Sequence, residues 1–281
     1  MALFNHNFNI GVSSFRRRVF NPVFVNSDTL NLLNTLIPSF QSSGWNRNMP
    51  IEFTINIAAG IYVGSSTPTR PTLDFTQFHP FSKISIINNG FILGAGGNGG
   101  TSSRWDTTFG GWSGSGPQSG GIALRTSCPL VITNNGVIGG GGGGGFGGGV
   151  VVFNSVVVAG GGGGGGAGYT QGLGGSSSVI SSSNGMSGQK TSGGNGGSKT
   201  FTTNNLYCGD NGGTGGGLGA AGGVASGMQR GTFTSLNGGA TGTSGYIEGG
   251  GTVLDGKGGA SIVGNSFITW IATGTRTGLI S

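Results

Sequence analysis

Two unbroken stretches, Gly139, Gly140, Gly141, Gly142, Gly143, Gly144, Gly145 and Gly160, Gly161, Gly162, Gly163, Gly164, Gly165, Gly166, constrain this chain more than any other feature. Ordering a residue's backbone costs about 1–2 kcal/mol, and glycine has no side chain whose burial could offset that cost. Such stretches are either flexible linkers or backbones packed so closely that N–H···O=C and Cα–H···O contacts stabilise them. Here they lie between short Val/Ile-rich pieces too small to fold alone, which favours order. An α-helix is a poor solution, because each glycine costs about 1 kcal/mol against alanine there. An extended helix with three residues per turn, of the polyproline II type, is open to them. Without Cβ atoms such helices can pack side by side as a hydrogen-bonded lattice.

Of the 281 residues 68 are glycine; Gly11, Gly44, Gly60 and Gly64 precede residue 90 and the other 64 lie from Gly90 onward. Collagen would need glycine at every third position and abundant proline, whereas all eight prolines end at Pro129 and the glycines come in runs. Generic disorder fits poorly too, since 34% of the chain is hydrophobic and 17 residues are phenylalanine. The net charge is +6, yet the only basic run is Arg16-Arg17-Arg18. Without a basic stripe and aromatic platforms no nucleic-acid partner is expected. No apolar run approaches the roughly 18 residues of a membrane span, and the start has no charged region followed by an apolar core. The expected product is soluble, not membrane-spanning and not exported by a signal peptide. Cys128 and Cys208 are too few for a disulfide framework and fit no metal-site spacing.

Residues 1–89 have nearly ordinary composition, and 1–83 read as a small α+β part. Ser27 and Asp28 precede Leu30, Leu32, Leu33, Leu36 and Ile37, a one-faced set that predicts a helix over 28–37, capped at its start and stopped by Pro38. Ile51, Phe53, Ile55 and Ile57 alternate with Glu52, Thr54 and Asn56, which predicts a half-buried strand. From Ile84 a repeat sets in: ISIINNGFILGAGGNGG (84–100) returns 46 residues later as LVITNNGVIGGGGGGG (130–145). Looser echoes span 150–166 and 200–217. Each unit reads as strand, turn, strand and glycine tract, with Asn-Asn-Gly suited to tight reversals at positive φ.

Catalysis has little to build on. His6 and His79 are the only histidines, and the acids Asp28, Glu52, Asp74, Asp106, Asp210, Glu248 and Asp255 are scattered. A hydrolytic pair would have to arise through tertiary contact. Gly94, Gly96 and Gly99 satisfy G-x-G-x-x-G, but no helix-forming stretch follows as dinucleotide binding requires. Lys190-Thr191 and Lys199-Thr200 lack the glycine a phosphate loop needs before them. No catalytic residue, metal site or cofactor is therefore expected. Binding has better material. The interruption at 101–118 concentrates Arg104, Trp105, Phe109 and Trp112 between glycine-rich stretches, and aromatic and arginine side chains are the usual interface anchors. The same rings could instead close the flank of the glycine slab. Weaker interruptions hold Tyr169 and Met186, then Phe201 and Tyr207, then Met228, Arg230 and Phe233. Loops leaving a stacked slab emerge alternately at its two ends, so about half would face away from any one partner.

The INNG and ITNNG strands running into glycine (84–100 and 130–145), the glycine motifs separated by variable segments and the ending SIVGNSFITWIATGTRTGLIS (261–281) resemble the receptor-recognising adhesins that cap the long tail fibres of T-even-like bacteriophages. The resemblance covers residues 28–281. It implies a mainly irregular and β fold: an N-terminal attachment part (1–83), of which residues 1–60 would dock on a trimeric tail fibre or other virion protein, followed over 84–281 by a sandwich of packed polyglycine II helices with short β-strands. It also implies that loops between motifs recognise a bacterial outer-surface protein or glycan. Their candidate residues are Arg104, Trp105, Phe109, Trp112, Tyr169, Phe201, Tyr207, Met228, Arg230 and Phe233. The protein would be made in the host cytoplasm and reside on the virion, at the fibre tip or another exterior position, without enzymatic activity. A structural virion protein of the head, collar or tail, using the same sandwich for subunit contacts, is the alternative.

Overall fold

The computed structural model describes residues 17–102, 115–148, 160–177, 183–198, 211–225 and 256–281, together with the backbone of four short strands at 104–106, 111–113, 151–153 and 156–158. Strands β1 (Arg18–Val19), β2 (Val23–Val25) and β3 (Thr29–Leu30) lead into helix α1 (Leu32–Ser42). Then follow β4 (Ile51–Ile57), β5 (Tyr62–Gly64), β6 (Leu73–Asp74), β7 (Lys83–Asn88), β8 (Phe91–Leu93), β9 (Arg104–Asp106), β10 (Gly111–Ser113) and β11 (Leu124–Arg125). The chain continues through β12 (Leu130–Asn134), β13 (Val137–Gly139), β14 (Val151–Phe153), β15 (Val156–Val158), β16 (Ile262–Val263), β17 (Ile268–Ala272) and β18 (Thr275–Thr277).

Apart from the two antiparallel hairpins β9–β10 and β14–β15, these strands form three parallel sheets: β1-β4-β7-β12-β17, with β2 also on β4; β18-β13-β8-β5-β3; and β16-β11-β6. The chain visits the sheets in rotation, β4-β5-β6, then β7-β8-β11, then β12-β13-β16, so it winds as a three-sided solenoid. Alternation in sequence becomes stacking in space. Ile55, Ile86 and Ile132 occupy one register position of the first sheet, Val63, Ile92 and Ile138 one of the second, and Leu73, Leu124 and Ile262 one of the third. All nine side chains are fully buried in a common core, each contributing about 1.5–3 kcal/mol of transfer free energy.

The strand expected at Ile51–Ile57 is β4, with Ile51, Phe53, Ile55 and Ile57 all inward and buried. The 46-residue repeat is a sheet register: Leu130 pairs with Ile84, and each of the next four residues keeps the same offset. The Asn-Asn-Gly segments turn the chain, but not as hairpins. Each is a corner passing from one sheet to the next, and neither Gly90 nor Gly136 takes positive φ. Glycine is needed there for close approach: a Cβ on Gly136 would collide with the Gly90 carbonyl oxygen. The asparagines stack as well. Asn88 Nδ2 donates to Asn134 Oδ1 at 2.7 Å, and Asn134 Nδ2 to the Thr273 carbonyl at 2.8 Å, both asparagines being fully buried.

The helix differs from its expectation at both ends. It begins at Leu32 behind Asn31, whose φ of 51° is left-handed, and Asp28 is drawn away to accept the Tyr62 N–H at 2.9 Å. It runs through Pro38 to Ser42. Pro38 and Asn34, whose carbonyl loses its partner, both face solvent. Continuing the helix buries Phe40 against Phe53, with ring centroids 4.9 Å apart, and that burial offsets the lost bond.

The glycine tracts leave the solenoid where β8 and β13 end and return at β11 and β16. Their partners recur every three residues. The N–H groups of Gly94, Gly97 and Gly100 donate to the carbonyls of Gly139, Gly142 and Gly145, while those of Gly96, Gly99 and Ser102 donate to Thr170, Leu173 and Ser176. The third set of positions accepts: the Ala95 and Asn98 carbonyls take the N–H groups of Gly121 and Gln118. One tract thus bonds three neighbours, each through every third residue, at 2.7–3.1 Å. The 83/84 boundary expected between the two parts falls inside β7, which pairs with β4 on one side and β12 on the other.

Candidate functional site

The hydrogen-bond pattern sorts the tract ends into two groups. Near the solenoid lie three short turns. Tyr169 rests against Gly64, and Thr170 Oγ1 donates to the Ser65 carbonyl at 2.8 Å. Lys190 reaches Asp28, and Gly219 abuts Gly278. At the opposite end the tracts bind one another just before the described chain breaks off. Ser102 donates to Ser176, Gly148 to Gly161, Ser183 to Ser198, Gly212 to Gly197 and Gly222 to Gly256. The described stretches that end at 102, 148, 177, 198 and 225 and those that begin at 115, 160, 183, 211 and 256 therefore meet at one and the same end. Among the described residues the tracts do alternate between the two ends, and those at the solenoid end are joined by short turns.

Small polar side chains finish the tracts at this far end. The Ser115 N–H donates to Thr101 Oγ1 at 2.7 Å, the Ser177 N–H to Asn184 Oδ1 at 2.8 Å and the Ser198 N–H to Ser183 Oγ at 2.6 Å. They satisfy backbone groups whose lattice partners run out. Sequence reasoning passed these residues over, although Ser, Thr and Asn flank nearly every interruption and were a readable signal.

Two hairpins rise from this end. In β9–β10, Trp105 stands opposite Trp112 and Arg104 opposite Ser113, and β14 lies beside β9. The register thus pairs two of the four members of the expected Arg/Trp/Phe group, Trp105 and Trp112, while Arg104, the residue before Trp105, belongs to the other face of the strand. Phe109, Phe201, Tyr207, Met228, Arg230 and Phe233 lie outside the described residues. Tyr169 is in a turn at the solenoid end, and Met186 sits inside a tract, donating its N–H to the Asn195 carbonyl.

Titratable groups cluster elsewhere. Burial pushes the Asp74 carboxyl up, but hydrogen bonds from Arg125 (Nη2 to Oδ2, 2.6 Å) and Thr76 outweigh it and hold the group below its ordinary value. Burial raises the Cys128 thiol, which faces the Phe75 carbonyl. His79 Nδ1 accepts the Phe81 N–H. Among the described residues no three His, Cys, Asp or Glu come together as a metal site, and no helix is long and apolar enough to cross a membrane.

The molecule is thus a parallel solenoid whose turns open into hydrogen-bonded glycine tracts, with the described tract ends beside all five interruptions on the side away from the solenoid. The family model for the phage tail fibre adhesin Gp38 matches residues 22–281. This chain belongs to that family. Comparison with curated proteins finds no match. Among solved structures it is similar to the gp37–gp38 adhesin tip complex of the bacteriophage S16 long tail fibre, with 21% identity, a TM-score of 0.51, and 95% of this chain and 83% of that chain covered. The protein is a bacteriophage tail-fibre adhesin and a component of the virion tail.

Proposed function

We propose that the adhesin binds a receptor on the host bacterial surface, a protein or a glycan, through the segments that leave the far end of the glycine tracts. The candidate contacts are Arg104, Trp105, Phe109, Trp112, Phe201, Tyr207, Met228, Arg230 and Phe233. The observation that carries this reading is that the described tract ends flanking all five interruptions lie together at one end, opposite the solenoid. That end is built by backbone hydrogen bonds and small polar caps, so a segment can change sequence without disturbing a side-chain core. Binding of this kind needs no catalytic group, and we assign none.

The same reading takes the tracts as polyglycine II helices packed in a sandwich, supported by the three-residue recurrence of their partners and by their burial. It assigns attachment to residues 1–83 and places the protein at the fibre tip with a tail-fibre protein as partner, since the similar solved protein was crystallised as a gp37–gp38 complex. The test is adsorption of purified adhesin, or of phage carrying it, to host cells. Trp112→Ala and Arg230→Ala should each lower adsorption at least about tenfold, as loss of an interface anchor does, with unchanged melting. Unaltered adsorption after replacement of all five segments by Gly/Ser linkers would refute the reading.

A further inference from the structure

We infer that Asp28, Tyr62, Gly64, Tyr169 and Lys190 form a pin that sets the register of the glycine tracts against the solenoid. The need for one follows from the lattice itself. Sliding a glycine tract by three residues exchanges each N–H···O=C bond for an equivalent one, so backbone pairing alone specifies position weakly, as in glycine-rich strands. Such a slip would carry a side chain about 9 Å along the tract, at about 3.1 Å per residue. Side chains at the near turns break the degeneracy.

Tyr169 and Lys190 occupy two successive near turns, on the two sides of the tracts 172–177 and 183–190. The Tyr169 ring lies over Gly64 so closely that any Cβ there would collide with it. The Lys190 ammonium is 2.7 Å from Asp28 Oδ2, 4.0 Å from the centroid of the Tyr62 ring and 5.4 Å from that of Tyr169. Its three partners are themselves held. Asp28 Oδ1 accepts the Tyr62 N–H at 2.9 Å, and Tyr62 stacks on Phe91 with centroids 4.3 Å apart and planes 7° from parallel. The Tyr169 N–H donates to the Gly94 carbonyl. An exposed ion pair alone would contribute little; two ring faces and a ring seated on bare backbone add to it. A slip of one step takes Lys190 out of reach of all three partners at once.

The inference does not depend on receptor binding, and its test reads hydrogen exchange rather than adsorption. In Lys190→Met the amides of 165–170 and 186–190 should exchange about tenfold faster, while those of 51–57 and 130–134 stay unchanged; Lys190→Arg, which keeps a cation over the rings, should retain protection. Tyr169→Ala should loosen the same two segments. Equal protection in Lys190→Met and the parent protein, a uniform rise across solenoid and tracts, or an arginine variant as loose as the methionine one would overturn the inference. If Tyr169→Ala does not fold, the two Lys190 variants decide.

Discussion

Gly142→Ala is the sharpest probe of a scaffold held by its main chain. Gly142 donates to the Ala167 carbonyl at 2.7 Å and accepts from the Gly97 N–H at 2.8 Å, so both of its polar groups are committed inside the tracts. A Cβ on it would stand 2.0 Å from the Gly216 carbonyl oxygen and 2.6 Å from that of Gly217. Ordinary contact begins near 3.4 Å, so the 212–217 tract would have to move outward by roughly 1.4 Å. That tract and the turn after it are tied to 140–146 by Gly213 to Phe146, Gly216 to Gly143 and Gly219 to Gly140, at 2.7–2.8 Å. Such a displacement takes all three beyond hydrogen-bonding distance. At about 1 kcal/mol net per bond, plus about 1–3 kcal/mol for the strain of overpacking, the loss comes to about 4–6 kcal/mol. Gly116 supplies the control, because nothing lies within 4 Å of a Cβ there and its φ is not left-handed. Gly116→Ala should be neutral, or more stable by up to about 1 kcal/mol through the unfolded state. Equilibrium denaturant unfolding of the two variants beside the parent measures both numbers. A Gly142→Ala protein within about 0.5 kcal/mol of the parent would refute the claim that tract contacts hold this part together.

Asn134→Ala removes the shorter of the two acceptors of the Asn88 amide, leaving it the Val137 carbonyl at 3.2 Å, and takes the side-chain donor from the Thr273 carbonyl; it should cost about 1–3 kcal/mol in the same unfolding assay. Asn134→Asp should cost at least as much, because a carboxylate cannot donate to Thr273. Asp28 and Asp74 both have carboxyls held below their ordinary values. A depressed folded value adds stability that is present above the unfolded value of about 3.9 and is lost as pH falls through the folded one. Melting temperature should therefore be nearly level in this respect from pH 7 to about 5 and fall below about pH 4, with a shallower fall in Asp74→Asn.

What the chain carries in its local sequence came through where the physics is local. Period-two alternation placed β4, the 46-residue repeat located β7, β8, β12 and β13 but not the parallel register that stacks them, and the glycine runs required close backbone packing whatever their neighbours. The helix end was misplaced because Pro38 is a local stop signal, whereas the decision to continue rests with Phe40, Phe53 and Trp45, which meet only after folding. The third sheet left no trace to read: β11 and β16 are two residues each, too short for any period, and are strands only because Leu124 and Ile262 fall in line with Leu73. Which tract touches which, the meeting at one end of the tract ends that flank all five interruptions, and the seat of Tyr169 on Gly64 were likewise decided in three dimensions. The physical reason is that glycine is identical to glycine. Composition can demand that these backbones pack, but only contact with the solenoid, at both ends of each excursion and at the near turns, selects among the many equivalent ways for them to do so.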